Sequence, residues 1–138
     1  MACGTHFDDL TGMRMRPMAR WLKTDEDAIA VAAFVAALPP QRPAPVLEGG
    51  DPARGAPLYA TCSACHGAAG EGNPALSSPS LRHTSDWYLL TQLKNFKQGI
   101  RGAHPRDATG SLMRPMAMLL KDEQAMRDVI AHIGSAAD

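Results

Sequence analysis

The chain has 138 residues, enough for one full domain and a smaller additional piece, and its 45% hydrophobic content is typical of a globular fold. The 14 basic and 14 acidic residues balance, which argues against a nucleic-acid partner. No apolar run reaches the length of a membrane-spanning helix, and the first ten residues lack the apolar core of a signal peptide.

The N-terminal segment is repeated near the end of the chain. Residues 3–19 align with residues 101–117 at a constant offset of 98, so that Met15 pairs with Met113. Both copies continue into Leu-Lys, a short acidic stretch and an apolar segment, which predicts a helix in each copy. Residues 1–38 are therefore interpreted as the C-terminal half of a unit whose complete version follows.

A proline-rich stretch, residues 39–50, comes next and predicts a stiff connector, because its prolines cannot continue a helix. The Gly-Gly-Asp-Pro sequence at its end predicts the cap of a helix over Pro52–Cys62. Gly55 and Tyr59 share a face of that helix. A small residue next to an aromatic one lets two helices cross closely, and residues 51–138 are predicted to form one complete domain.

The strongest signal is Cys62-Ser-Ala-Cys65-His66. Two thiols three residues apart, followed by an imidazole, can hold a haem through two thioethers while the histidine binds its iron. A zinc site would need two more ligands at similar spacing, and a thioredoxin-like pair would need alternating strands and helices. The sequence therefore predicts one covalently attached haem c with His66 as an iron ligand, and an incidental free thiol at Cys3.

The repeat offset would place a partner for Cys62 before the first residue of the chain. One hypothesis is that the natural protein or its ancestor has two haem units and that this chain lacks the front of the first. The alternative is a short protein whose half-unit packs on the complete domain, or joins two copies in a dimer. Met15 is then either an unused iron ligand packed in the interior or a sign that a haem unit is missing.

A glycine-rich loop, residues 67–74, follows the motif and is expected to pass near the haem edge. Pro74 is a candidate cofactor-binding residue, because its backbone carbonyl could accept a hydrogen bond from the ring N–H of His66. Such a bond would select the tautomer and basicity of the ring.

Apolar residues at spacings of 3, 4 and 7 predict a helix over residues 86–98. Near its end Lys94, Lys97 and Arg101 form a modest basic face, interpreted as a solvated surface with a docking patch as the alternative. An irregular loop is predicted over residues 100–115.

A final helix is predicted from about residue 121 to residue 133. The sixth position of the iron is expected to be filled from the preceding loop, where a thioether would close the metal and raise its reduction potential. Met113 and Met116 are both candidates, with Met118 behind them, and methionines also fill gaps in cores. His6 and His104 match each other in the repeat and are interpreted as structural hydrogen-bonding residues.

These residues resemble class I c-type cytochromes, specifically the two-domain cytochrome c4 type. The resemblance covers nearly the whole chain and rests on the haem motif, Gly55 with Tyr59, Tyr88–Arg101 and Met113–Ala117. It implies an all-α cytochrome c fold, with three principal helices around the haem iron. It favours Met113 over Met116 as the axial ligand opposite His66. The last helix of such domains usually carries an aromatic residue, which Phe34 supplies in the partial copy and His132 replaces in the complete one.

The resemblance also implies periplasmic electron transfer between redox partner proteins, without substrate turnover. An export signal is then expected to have been removed or to lie upstream. One alternative is a haem c relay subunit or fragment of a larger assembly, associated with a membrane-bound dehydrogenase or terminal oxidase. A second is a haem enzyme of the peroxidase type, which would require an open sixth position on the iron.

Overall fold

The computed structural model of the protein describes residues 7–41 and 43–136. These residues form six α-helices and one short 3₁₀-helix, and they contain no strand. The chain divides into two compact units, the first ending at Pro40 and the second beginning at Gln41. The prediction of an all-α protein is confirmed.

The first unit contains α1 (Leu10–Ala19) and α2 (Asp25–Ala37). None of the helices in the described residues is both long and apolar enough to cross a bilayer. The second unit contains α3 (Pro52–His66), a 3₁₀ turn (Pro74–Leu76), α4 (Asp86–Lys97), α5 (Ala108–Met118) and α6 (Glu123–Ala136).

The sequence repeat is matched by a repeat of local structure. Asp9 precedes α1 and accepts a hydrogen bond from the amide of Gly12 at 2.9 Å. Asp107 precedes α5 and accepts from the amide of Gly110, also at 2.9 Å. Each carboxylate satisfies an amide in the first turn of its helix, which the helix itself leaves without an acceptor.

The predicted irregular loop over residues 100–115 is wrong in its second half, where α5 forms. Two features explain this difference. The Asp107 side chain caps the first turn, and Pro115, which lies inside the helix, removes only the amide that would bond to the carbonyl of Ser111. The second unit therefore has four α-helices where three principal ones were predicted.

Two other helices are longer or displaced relative to the sequence prediction. Helix α3 continues four residues beyond Cys62, and α6 begins and ends later than predicted. The extension of α3 is important because it brings the whole cysteine and histidine motif into the last turn of a helix.

The crossing of α3 and α6 is the main packing contact of the second unit. A Cβ atom on Gly55 would overlap the backbone carbonyl of Asp128, so only glycine allows this approach. One turn later, Tyr59 is 2% exposed and its ring packs against that of His132, with 5.3 Å between centroids. The hydrophobic core around this crossing consists of Tyr59, Leu90, Leu120, Ala125, Met126, Val129, Ile130 and Ile133.

A buried carboxylate joins the start of α3 to α6. Asp128 is 3% exposed and accepts hydrogen bonds from Arg54 Nε (2.8 Å), Arg54 Nη2 (2.9 Å), Asp51 N (2.8 Å) and Gln124 Nε2 (2.8 Å). The bond from Arg54 is the main reason that the pKa of Asp128 lies far below its ordinary value. The ionised carboxylate is therefore favoured in the folded protein.

Substitution of Asp128 by asparagine is expected to lower the melting temperature at pH 7. Because the folded-state pKa is depressed, the stabilisation is complete above the unfolded pKa of about 3.9 and is lost as the pH falls further. The difference in melting temperature between the two proteins should thus narrow below about pH 4. Thermal unfolding of both proteins at a series of pH values tests this prediction, with the exposed Asp25→Asn as control. A difference independent of pH would contradict the assignment.

The connector after Gln41 is fixed to the second unit. Asp86 Oδ2 accepts from the amides of Val46 and Leu47, both at 2.7 Å, at the start of α4. Burial alone would raise the pKa of Asp86, but the amides of Leu47 and Val46 hold it below its usual value. Gln124 Nε2 donates to the carbonyl of Gly49 at 2.6 Å, which fixes the end of the connector against α6.

Candidate haem site

The motif occupies the last turn of α3. Cys62 is half-buried and packs against the core, Cys65 is exposed, and His66 is 6% exposed. The two cysteines are three residues apart on a helix and therefore neighbours on its surface. Burial raises the pKa of the Cys62 thiol.

The turn after His66 is held in an unusual conformation. Gly67 has φ +83° and ψ 160°, a region that glycine adopts and other residues avoid. Its carbonyl accepts from the hydroxyl of Tyr59 at 2.8 Å, and burial raises the pKa of Tyr59 to about 12, so the phenol remains protonated. Tyr59 therefore positions the motif as well as packing the core. The spacing of Gly55 and Tyr59 predicted only the packing role.

His66 is oriented by a backbone carbonyl. Its Nδ1 lies 3.0 Å from the carbonyl oxygen of Pro79. Because a carbonyl oxygen can only accept, Nδ1 carries the hydrogen and Nε2 has the lone pair that an iron ligand needs. The prediction that Pro74 supplies this carbonyl is wrong. The Pro74 carbonyl instead accepts from the amide of Ser77 at 3.1 Å and closes the 3₁₀ turn.

The candidate methionine ligands lie on α5. Met113 is half-buried and shares a helix face with the buried residues Gly110 and Ala117. Met116 is 36% exposed and borders a cavity next to Cys62, whereas Met118 is 62% exposed. The structure thus places Met116 beside the motif helix and Met113 on the more buried face of α5, and it leaves Met118 at the surface.

The cavity beside the motif has a volume of about 220 Å³ and is lined mainly by apolar residues, and Cys62 is part of its wall. A covalently attached haem requires two thiols, an imidazole with an available Nε2 and apolar surroundings. The motif supplies the first two, and the cavity next to Cys62 supplies apolar side chains, so the residues present fit this group. A larger cavity, of about 580 Å³, lies between the connector and α6, and its lining includes no residue of the motif and no methionine. The smaller cavity is lined by Pro57, Leu58, Thr61, Cys62, Met116, Leu119 and Leu120.

The basic face near the end of α4 is engaged within the unit. Lys94 forms an ion pair with Glu123 at 2.6 Å, and Lys97 donates to two backbone carbonyls in the turn between α5 and α6. Arg101 donates to Gln92 Oε1 at 2.6 Å. These contacts favour a packing role over a docking patch.

Other predicted residues have less distinctive positions. Met15 is 59% exposed on α1, so it is not packed in the interior as one interpretation expected. His104 Nδ1 accepts from the amide of Arg106 at 3.1 Å, in keeping with the structural role predicted for it. Cys3 and His6 lie outside the described residues.

Residues 52–137 match the family model of cytochrome c. The chain therefore belongs to the cytochrome c family, has its all-helical fold, carries covalently bound haem c and transfers electrons.

Three relatives show its place within the family. The chain is 36% identical over 86 residues to cytochrome c-554(548) of Halomonas halodenitrificans, covering 62% of this chain and 96% of that protein. It is 34% identical over 88 residues to cytochrome c4 of Stutzerimonas stutzeri, covering 62% and 41% of the two chains. It is 49% identical over 45 residues to the thiosulfate dehydrogenase electron acceptor of Thiomonas intermedia, covering 33% and 21%. The resemblance to class I cytochromes of the c4 type is confirmed. The aligned part spans less than half the length of the last two relatives.

Proposed function

We propose that the protein is a one-electron carrier whose haem c is attached to Cys62 and Cys65, with His66 and Met113 as axial ligands. The observation that carries this proposal is the contact of His66 Nδ1 with the carbonyl of Pro79, which leaves Nε2 for the metal. When bound, haem c supplies an iron that takes up and releases one electron. The protein supplies the ligands, keeps water from them and holds the ring of His66 in one orientation.

Met113 is preferred over Met116 because of its position on α5. It lies on the helix face that includes the buried Ala117, and it is less exposed than Met116. A thioether that reaches the iron must come from the inward face of the helix that closes the site. Met116 is the second candidate, and the observation in its favour is that it borders the cavity beside Cys62.

Replacement of Met113 by leucine is expected to remove the long-wavelength absorption band of thioether-bound ferric iron. The ferrous protein should then bind carbon monoxide promptly, because the sixth position is open, and its reduction potential should fall. Met116→Leu, which alters a methionine three residues away on the same helix, should keep the band. The opposite pattern would show that Met116 is the ligand and would contradict the assignment of Met113.

With both axial positions filled, no substrate reaches the iron, so we infer that the protein is a carrier and not an enzyme. The names of two relatives describe electron acceptors of thiosulfate dehydrogenase. An oxidoreductase that delivers single electrons is accordingly the proposed donor, and reduction of the ferric protein by a purified dehydrogenase of that kind is the test.

We place the protein in the periplasm, as expected for haem attached through cysteines. Cell fractionation of a producing strain tests this location.

We further propose that residues 1–38 are the C-terminal half of a second haem c unit without its own haem motif. The proposal is supported by the shared aspartate caps of α1 and α5 and by the similar order of helices in the two copies.

No described residue of α2 is buried, and Phe34 is 67% exposed, so this unit is also the proposed surface for a dimer. One haem per chain is expected. Sedimentation of Phe34→Glu beside the unmodified protein tests the dimer.

A further inference from the structure

The loop after the motif is held by two oppositely charged side chains that bind the backbone of one residue. The amide of Ala69 donates to Glu71 Oε2 at 2.9 Å, and Arg82 Nε donates to the carbonyl of Ala69 at 3.0 Å. Hydrogen bonds in which one partner is charged are stronger than those between neutral groups. These two contacts are called the Ala69 clamp below.

The Glu71 side chain lies against the backbone of this loop. A Cβ atom on Gly67 would overlap the carboxylate of Glu71, so this carboxylate is next to the residue that follows His66. The amides of Glu71 and Ala69 lower the pKa of Glu71, and the charge of Arg82 lowers it further. The carboxylate is therefore ionised at neutral pH and can accept the bond from the loop.

Arg82 belongs to the segment that orients His66. Pro79, whose carbonyl lies 3.0 Å from His66 Nδ1, precedes Arg82 in the same short segment. The amide of Leu81 donates to the carbonyl of Gly70 at 2.8 Å, so this segment lies beside the loop. The Ala69 clamp thus joins the loop after the motif to the segment that contains the orienting carbonyl.

Gly72 shows how closely the loop and this segment pack. Its amide donates to the carbonyl of His66 at 2.7 Å. A Cβ atom on Gly72 would lie 2.8 Å from the carbonyl carbon of Pro79. A displacement of the loop would therefore shift the Pro79 carbonyl relative to the ring that it orients.

We propose that Glu71 and Arg82 are positioning residues for the histidine ligand of the haem iron. By holding the loop, they set the hydrogen bond between His66 and the carbonyl of Pro79, and through this bond the reduction potential. A carbonyl that accepts from Nδ1 makes the imidazole more basic, and a more basic ligand favours the ferric state. The inference rests on the proposed function of His66 as a ligand, but it does not depend on which methionine lies opposite.

Potentiometric titration of the holoproteins tests the proposal, because the clamp and a simple charge effect predict different signs. Glu71→Ala removes the acceptor and Arg82→Met removes the donor, so both should weaken the bond from His66. In each variant the ratio of ferrous to ferric protein at a fixed ambient potential should rise about threefold, as for the partial loss of one hydrogen bond. A direct effect of charge on the iron would raise the ratio in Glu71→Ala and lower it in Arg82→Met. Such opposite changes would overturn the proposal.

Glu71→Gln is the conservative variant, because its amide oxygen can still accept from Ala69 although the charge is lost. It should keep the ratio of the unmodified protein, and a rise as large as that of Glu71→Ala would overturn the proposal. The controls are Glu48→Ala and Arg106→Met, which remove an exposed carboxylate and an exposed guanidinium elsewhere in the second unit. Both should leave the ratio unchanged.

The Nδ1–H proton of His66 reports on the hydrogen bond itself. In proton NMR spectra of the ferrous holoproteins, its resonance should lie further upfield and exchange faster with water in Glu71→Ala and Arg82→Met than in Glu71→Gln. An unchanged resonance in the first two variants would overturn the proposal. Absence of the long-wavelength band from the unmodified protein would contradict the methionine assignment alone, because the resonance of His66 is measured independently of that band.

Discussion

Replacement of both Cys62 and Cys65 by serine is expected to give a protein without covalently bound haem. A serine hydroxyl cannot form the thioether bonds that join the motif to the haem, and the apolar cavity beside Cys62 then loses its occupant. The fold should also be destabilised, because a group bound only by the folded protein stabilises it, and the double variant loses that group. This is the largest effect we expect from any substitution.

The measurement is the amount of haem that remains with the polypeptide after denaturation and acid extraction. Cys3→Ser is the matched control, since it removes the third cysteine of the chain and leaves the motif intact. The control should retain one haem per chain. Haem that stays with the double variant after extraction would contradict the assignment of the two thiols.

Replacement of Gly55 by alanine is expected to destabilise the protein by about 3 kcal/mol, as in overpacked cores. Helix propensity alone would give the opposite sign, because alanine is favoured over glycine in a helix by about 1 kcal/mol. The added Cβ would overlap the backbone carbonyl of Asp128. A carbonyl in the middle of α6 cannot move aside like the end of a flexible side chain, so the two helices would have to separate.

Urea unfolding of the holoprotein, followed by the absorbance of the haem, measures this change in the free energy of unfolding. Ala56→Gly is the control because Ala56 is the next residue on α3 and is exposed. It should cost about 1 kcal/mol, which is the propensity term alone. A Gly55→Ala protein as stable as the unmodified one would show that the crossing of α3 and α6 is looser than described.

The helices that follow from periodicity and capping residues could be predicted from the sequence. The apolar spacing of α4 and the aspartate before α3 are local signals, and the structure has a helix at each place. The region before α6 was predicted as a loop, and its second half is the helix α5. The helix there begins at the cap formed by the side chain of Asp107. This cap is noticeable in the sequence only when Asp107 is compared with Asp9, its equivalent in the repeat.

The motif of the site was evident from spacing alone, but its surroundings were not. The carbonyl that orients His66 belongs to Pro79, and its position depends on how the intervening glycine-rich loop folds back. Pro74 and Pro79 both follow the motif, and nothing local in the sequence favours the carbonyl of one over that of the other. Likewise, an aspartate within α6 has the pattern of a surface residue, and only the packing of α3 reveals that Asp128 is buried.

The meeting of α3 and α6 also has a kinetic consequence. Asp51 and Asp128 are 77 positions apart, so this crossing forms only after most of the unit has been synthesised. Contacts between distant parts of a chain form slowly, because closing the loop between them costs entropy. Both thiols, by contrast, lie on the earlier of the two helices. The haem can therefore be attached while the chain is still open, and final compaction can take place around a group that is already in position.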